Sequence, residues 1–298
     1  MKLLQGDCLD LMKEIPNDSV DLILCDLPYG TIKGLALKSW GDSDTYWDVR
    51  INTDQLFKAY ERILRQKGVI ILFSQEPYTS HLRTHKQQNI NFLYPLIWKK
   101  NIFGNGFNAK KAPLSYFEDI SVFTKVYDTS KVHPLREYAA KVLDYIGLTK
   151  AQIRKDIGQG VAHFFYIDST QFSLPTRKTY QALVDTYHID EMPEYKTYDE
   201  CLEINKKYTR VFNLPEGKGH ISNVLEFRKD YSGYHPTQKP VALLEHLIRT
   251  YTNEGDTVLD NCMGSGSTGV ACINTNRKFI GMEMDDRYYN IATQRMAA

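Results

Sequence analysis

The sequence has no excess of charge of either sign. Its 37 Lys and Arg stand against 36 Asp and Glu, a formal net charge of +1. A protein that attracts polyanions through its whole field is excluded, so any nucleic-acid surface must be local. Cysteine is scarce and unpatterned: the 5 residues, at 8, 25, 201, 262 and 272, show no paired spacing for a metal. A cysteine-built metal centre is excluded, and no metal is expected. Cys25 and Cys262 fall in or beside apolar runs and read as buried free thiols. Long apolar runs are also missing. None approaches the roughly 18 residues of a membrane-spanning helix, and the opening does not read as a signal peptide. The expectation is a soluble, cytoplasmic protein.

What the chain does have is length for one large α/β domain with an insertion, or for two domains. The most informative stretch is Val20 to Gly30. Val20 to Cys25 is a short run of strand formers, of the kind buried in a parallel sheet. It stops at Asp26-Leu27-Pro28-Tyr29-Gly30, where Pro28 and Gly30 cannot continue a central strand. This loop therefore sits at the carboxyl end of a strand, the edge at which open α/β sheets bind ligands. It offers a carboxylate (Asp26), a backbone carbonyl before a proline (Leu27) and an aromatic face (Tyr29). A carboxylate and a carbonyl accept hydrogen bonds from an amine, and a ring stacks on a planar base.

Strands and helices alternate on either side of this stretch. Asp7 lies at an early strand-to-helix turn, where it suits a helix cap. Residues 31–50 read as a polar, mobile loop flanking a site. Further strands are expected at Val69 to Phe73, Phe92 to Trp98, Ile120 to Phe123 and Ser222 to Phe227. Between two of them, residues 99–111 carry Lys99, Lys100, Lys110 and Lys111, interleaved with glycine and phenylalanine and with no acid. That pattern suits either a nucleic-acid backbone or a plain solvated loop. Residues 131–215 break the alternation and read as a helical insert. Its helices around Gly158-Gln159-Gly160 have the outline of a helix-turn-helix, yet residues 132–210 hold 11 basic and 11 acidic residues. It is either a recognition element or a packing insert; its interruption of the core favours recognition.

Near the end, the strand Asp256 to Asp260 runs into Asn261-Cys262-Met263-Gly264-Ser265-Gly266-Ser267-Thr268-Gly269 and then a helix. Gly264 and Gly266 let backbone approach a ligand, and the helix start offers free N–H groups. The next strand ends at Glu283, placed to accept both hydroxyls of a ribose. A dinucleotide would fit the outline. Against it stand a Gly-x-Gly turn without the third glycine, and Asp260 at the strand tip. That carboxylate repels a pyrophosphate and attracts an ammonium. S-adenosylmethionine has the ammonium and the ribose, and no phosphate.

These motifs and their order carry a resemblance. Asp26-Leu27-Pro28-Tyr29 resembles the Asp-Pro-Pro-Tyr loop of the DNA amino-methyltransferases, with Leu27 replacing a proline. Residues 260–269 resemble that family's cofactor turn, His235-Pro236-Thr237-Gln238-Lys239-Pro240 the motif preceding it, and Phe279 to Glu283 its ribose-binding strand. The catalytic loop comes first, an insert follows and the cofactor turn comes last, as in the permuted beta group. The resemblance covers about residues 1–125 and 220–298.

The resemblance implies a fold and a site. The fold would be a Rossmann-like α/β methyltransferase: a mixed, mostly parallel sheet with helices on both faces, formed by residues 1–130 and 216–298. The helical insert, 131–215, would recognise the target. Catalysis would fall to Asp26, Leu27, Pro28 and Tyr29. The S-adenosylmethionine site would hold Asp7, Asp26, His235, Thr237, Lys239, Pro240, Asp260, Gly264, Ser265, Gly266 and Glu283. Lys99, Lys100, Lys110 and Lys111 would meet DNA. The implied reaction methylates the 6-amino group of adenine on a flipped-out base. Cytosine members more often carry Ser where Asp26 stands, and methyltransferases of RNA or protein glutamine usually carry Asn. A catalytically dead DNA-binding protein would not need the intact loop. The resemblance further allows a homodimer, a cognate restriction endonuclease and a prokaryotic or phage origin.

Overall fold

In the computed structural model the described residues are 1–30, 48–104, 109–126, 133–169, 171–230, 234 and 237–297. Residues 31–47, and His235 of the predicted cofactor site with its neighbour Pro236, lie outside them. In chain order the elements are β1 (Lys2–Gln5), α1 (Cys8–Leu11), β2 (Val20–Asp26), α2 (Thr53–Ile63), β3 (Leu64–Ser74), α3 (Tyr78–Thr84), β4 (Ile90–Gly104), β5 (Ser115–Lys125), α4 (Pro134–Ile146), α5 (Lys150–Ile157), α6 (Arg177–Tyr187), α7 (Tyr198–Lys206), β6 (Val224–Glu226), α8 (Val241–Tyr251), β7 (Thr257–Asp260), α9 (Ser267–Asn274), β8 (Lys278–Glu283) and α10 (Asp286–Ala297). Among the described residues no helix is long and apolar enough to cross a membrane.

The chain divides into two compact units, Met1–Val126 with Arg210–Ala298, and Tyr127–Thr209. The first is built on one eight-stranded sheet in the order β1-β8-β7-β2-β3-β5-β4-β6. Among the described strands only β5 runs against the rest, pairing antiparallel with β3 and β4. The sheet is thus mixed and mostly parallel, an α/β methyltransferase fold. Because strand side chains alternate, Leu22 and Leu24 of β2 enter one core with α8, α9 and α10, while Ile23 and Cys25 enter another with α2 and α3. A strand buried on both faces is why β2 reads as an unbroken apolar run. Strand order turns outward between β2 and β7, so their carboxyl ends flank the crevice typical of open sheets.

The second unit has its own core of Leu135, Tyr138, Val142, Ile153, Phe164, Tyr180 and their neighbours. The insert ends earlier than residue 215, because Asn213 is pinned to the end of α8. Its backbone N–H donates to the Thr250 carbonyl at 2.7 Å and its Nδ2 to the Arg249 carbonyl at 3.0 Å. The helix-turn-helix outline is also corrected. After α5, Gly158 takes φ 108°, and Gln159–Phe165 is a 3₁₀ helix. Buried Val161 and Phe164 repeat at the three-residue period of that helix, so no second α-helix forms there.

Candidate active site

Two strand ends build the site. β2 stops at Asp26, and the loop after it is clamped from residues that sequence reading passed over. The Gly30 N–H donates to Asp48 Oδ1 at 2.8 Å, and Arg50 Nε donates to the Tyr29 carbonyl at 2.6 Å. Gly30 takes φ 69°, the left-handed conformation that makes glycine useful there. Leu27 is buried, with 2% of its surface exposed. Nothing among the described residues donates to its carbonyl, and Pro28 has no N–H to offer.

Asp26 is partly buried and doubly engaged. Tyr29 Oη donates to its Oδ1 at 2.7 Å, and Lys239 Nζ donates to its Oδ2. Lys239 also lies 3.2 Å from Glu118 Oε2, and Glu118 Oε1 is paired with Lys100. Burial raises the Asp26 carboxyl above its ordinary range, Lys239 draws it back and Glu118 pushes it up. Lys239, predicted at the cofactor, is therefore found on Asp26. The reason is topological: β5 and β4 carry Glu118 and Lys100 to the same sheet edge, and the segment before α8 crosses it.

The second strand end is β7. Gly264 and Gly266 take φ 51° and 80°, and Gly266 opens α9 with no side-chain cap, leaving the first N–H groups unclaimed by a side chain. The buried Asp260 accepts from Thr268 Oγ at 2.6 Å and from the Cys262 N–H at 3.1 Å. Burial pushes its carboxyl up to about 6. Glu283, at the tip of β8, clasps the turn: its carboxylate accepts the Gly264, Met284 and Asp285 N–H groups, each at 2.9 Å. Asp7 caps α1, accepting the Leu9 N–H at 2.7 Å. Parallel pairing of β1, β8, β7 and β2 brings Asp7, Glu283, Asp260 and Asp26 to one edge.

A family model described as DNA methylase matches residues 20–294. The chain belongs to that DNA methylase family. It is 25% identical over 301 residues to a DNA adenine methyltransferase, YhdJ, of Escherichia coli K12, an alignment covering 99% of this chain and 82% of YhdJ. Among solved structures it resembles an M1.HpyAVI–SAM complex at TM-score 0.56 and 19% identity, covering 99% of this chain and 98% of that one. It also resembles the cytosine-N4-specific PvuII DNA methyltransferase at TM-score 0.55 and 15% identity, covering 98% and 85%. At such identities the two structures speak for the fold alone.

Several predicted site residues of this methylase also have partners within the fold. The Ser265 side chain is buried toward α10, where Arg295 Nη1 donates to its carbonyl at 3.1 Å and lies 3.3 Å from its Oγ. Pro240 is buried and its carbonyl receives the Leu243 and Leu244 N–H groups, so it starts α8. Thr237 is half-buried in the same segment. Of the four lysines, Lys100 is corrected most: it is buried on Glu118 and over the Trp98 ring, so it presents no charge to a phosphate. The basic stretch is not one loop, because β4 continues to Gly104. Lys99 meets Glu226 at 2.8 Å on the surface, and Lys110 and Lys111 are exposed. Three cysteines converge beneath the site. Asn261 Nδ2 donates to Cys8 Sγ at 3.6 Å and Cys262 Sγ at 3.4 Å, and burial pushes Cys25 up to about 12. Thiols held protonated in this way are packing groups and not nucleophiles.

Proposed function

We propose that this methylase transfers a methyl group from S-adenosylmethionine to the 6-amino group of adenine in DNA. The observation that carries the reading is the pair of acceptors at the tip of β2. There the Asp26 carboxylate stands beside a Leu27 carbonyl that receives no hydrogen bond from a described residue. The acidic residue at this position, and a relative named as an adenine methyltransferase, favour adenine over cytosine.

The residues around the second strand end suit the methyl donor. The turn supplies glycines with positive φ and an uncapped helix start. Asp260 offers a buried carboxylate with no cation among its hydrogen-bond partners in the described residues, which matches an amino-acid ammonium. Glu283 keeps one lone pair, on Oε2, beyond the three N–H groups it accepts, and this suits a ribose hydroxyl. When bound, S-adenosylmethionine supplies an activated methyl on sulfur. The protein's own part is positioning. Each carboxylate oxygen carries two lone pairs, so Asp26 can accept an amine N–H while it keeps Tyr29 and Lys239. The Leu27 carbonyl accepts the second N–H. Together they turn the nitrogen lone pair out of conjugation with the ring. Tyr29 holds the flipped base by its face.

We further propose that the insert reads the target sequence. Exchanging it for that of a relative should move the methylated sites while transfer persists; sequencing-based mapping checks this, and unchanged sites would assign target reading elsewhere. Digestion of methylated DNA to nucleosides tests the main reading. It should yield N6-methyladenine; N4-methylcytosine would replace the base, and no methylated nucleoside would overturn the activity.

A further inference from the structure

Asp26 belongs to a chain of four charges that the proposed chemistry does not use beyond its first member. Lys239 Nζ donates to Asp26, Glu118 Oε2 lies 3.2 Å from the same ammonium, and Lys100 Nζ holds Glu118 Oε1. The signs alternate and sum to zero. The Lys239, Glu118 and Lys100 side chains are 6%, 10% and 8% exposed. Aromatic rings close the network: the Lys239 ammonium lies 5.2 Å from the Phe73 ring centre and Lys100 lies 5.0 Å from that of Trp98. Shielding of this kind keeps the interactions strong. The geometry is lopsided, because Lys239 hydrogen-bonds Asp26 whereas the buried Glu118 Oε2 meets the same ammonium only as an ion pair at 3.2 Å and has no well-aligned hydrogen bond among the described residues.

We propose that Lys239 is the resident counter-ion of Asp26 and that Glu118, anchored by Lys100, is a rival carboxylate limiting how tightly Lys239 holds it. The inference rests on the reading of Asp26 as the acceptor for the target amine. An acceptor must be ionised, so a lysine beside a partly buried aspartate is required. It must also keep a lone pair for the substrate, so a competitor for the lysine is useful. Lys239 and Glu118 are thus positioning residues acting through Asp26. The other groups bearing on Asp26 are Tyr29 and Cys25 of its own segment and Asp260 of β7. Lys229 bears on Lys239, Lys100 and Glu118. Burial lowers the Lys229 ammonium, Lys100 and Lys239 lower it further and Glu118 raises it.

The two carboxylates predict shifts of opposite sign. Activity needs ionised Asp26 and falls as pH drops through its titration. Removing a neighbouring cation raises a carboxyl by about 1–3 pH units. Lys239→Met should therefore move the acid limb of single-turnover methyl transfer upward by at least one unit, with rate recovering at higher pH. Glu118→Gln frees Lys239 for Asp26 and should move the limb downward. Lys239→Arg keeps the charge and should restore the wild-type limb. The Asp26 carboxyl, followed in parallel by NMR titration of ¹³C-labelled aspartate, should move in step. This second readout needs no activity. If Asp26→Ala leaves methyl transfer intact, the functional reading fails, and the titration still decides the counter-ion assignment. Limbs and titrations that stay put, or move the same way in Lys239→Met and Glu118→Gln, would overturn it. A purely structural role predicts equal losses at every pH.

Discussion

Two aspartates end neighbouring strands, and their surroundings differ in kind. Asp26, on β2, is partly open and bonded to a lysine and a tyrosine. Asp260, on β7, is buried, and among the described residues it is bonded to a hydroxyl, a backbone N–H and the Cys25 thiol. In both, burial raises the carboxyl. The first charge is balanced by the protein itself, which suits a group that works as a hydrogen-bond acceptor toward a neutral amine. The second has no cation from a described residue in its hydrogen-bonding shell. A ligand that carries its own ammonium would supply one. The contrast teaches that two similar residues at the same sheet edge can meet opposite charge environments.

Breaking the first carboxylate should have the largest effect. Asp26→Ala should lower methyl transfer by about 10²–10⁴, the range for a lost proton-handling group, while S-adenosylmethionine still binds. Rates within about tenfold of wild type would remove Asp26 from the chemistry, and an equal loss of cofactor affinity would erase the distinction between the two strand ends. Next in size is the clasp at β8. Glu283→Ala should weaken S-adenosylmethionine by roughly 1.5–3 kcal/mol in calorimetric titration, the range for hydrogen bonds to a charged group. An unchanged dissociation constant would mean that the turn binds something else.

The comparison is sharpened by pH. If Asp260 meets the ligand's ammonium, binding favours its ionised form. Its free carboxyl titrates near about 6, so affinity should be full above that value and fall below it. With that midpoint, affinity at pH 5 should be about tenfold weaker than at pH 7, following a slope of one proton. Asp260→Asn should flatten the profile over this interval, and a wild-type affinity independent of pH would count against the assignment. The smallest effect concerns paired and unpaired lysines. Replacing exposed Lys110 and Lys111 should weaken DNA binding alike across sequences and flatten its salt dependence by up to about 0.9 per lost phosphate contact. Lys100→Met should leave the salt slope unchanged, because its ammonium is spent on Glu118. Binding isotherms at several salt concentrations separate the two.

What the sequence determined by itself was whatever depends on neighbours in the chain. The apolar run ending at Asp26, the glycine turn after Asp260 and the strand ending at Glu283 each follow from local pattern, because strand, turn and helix preferences act over a few residues. Their common edge followed as well, since parallel strands with helical connections place all carboxyl ends together. The tertiary structure decided the charge partners. Lys239 and Asp26 are 213 residues apart, and Glu118 comes from the one antiparallel strand. No local pattern announces such a pair. Lys100 shows the limit most clearly: in sequence it belongs to a basic stretch suited to phosphate, and in the fold it is buried in an ion pair. A side chain's sequence neighbours fix its backbone, but the dielectric and the counter-charge it meets are set by strands brought beside it from elsewhere in the chain.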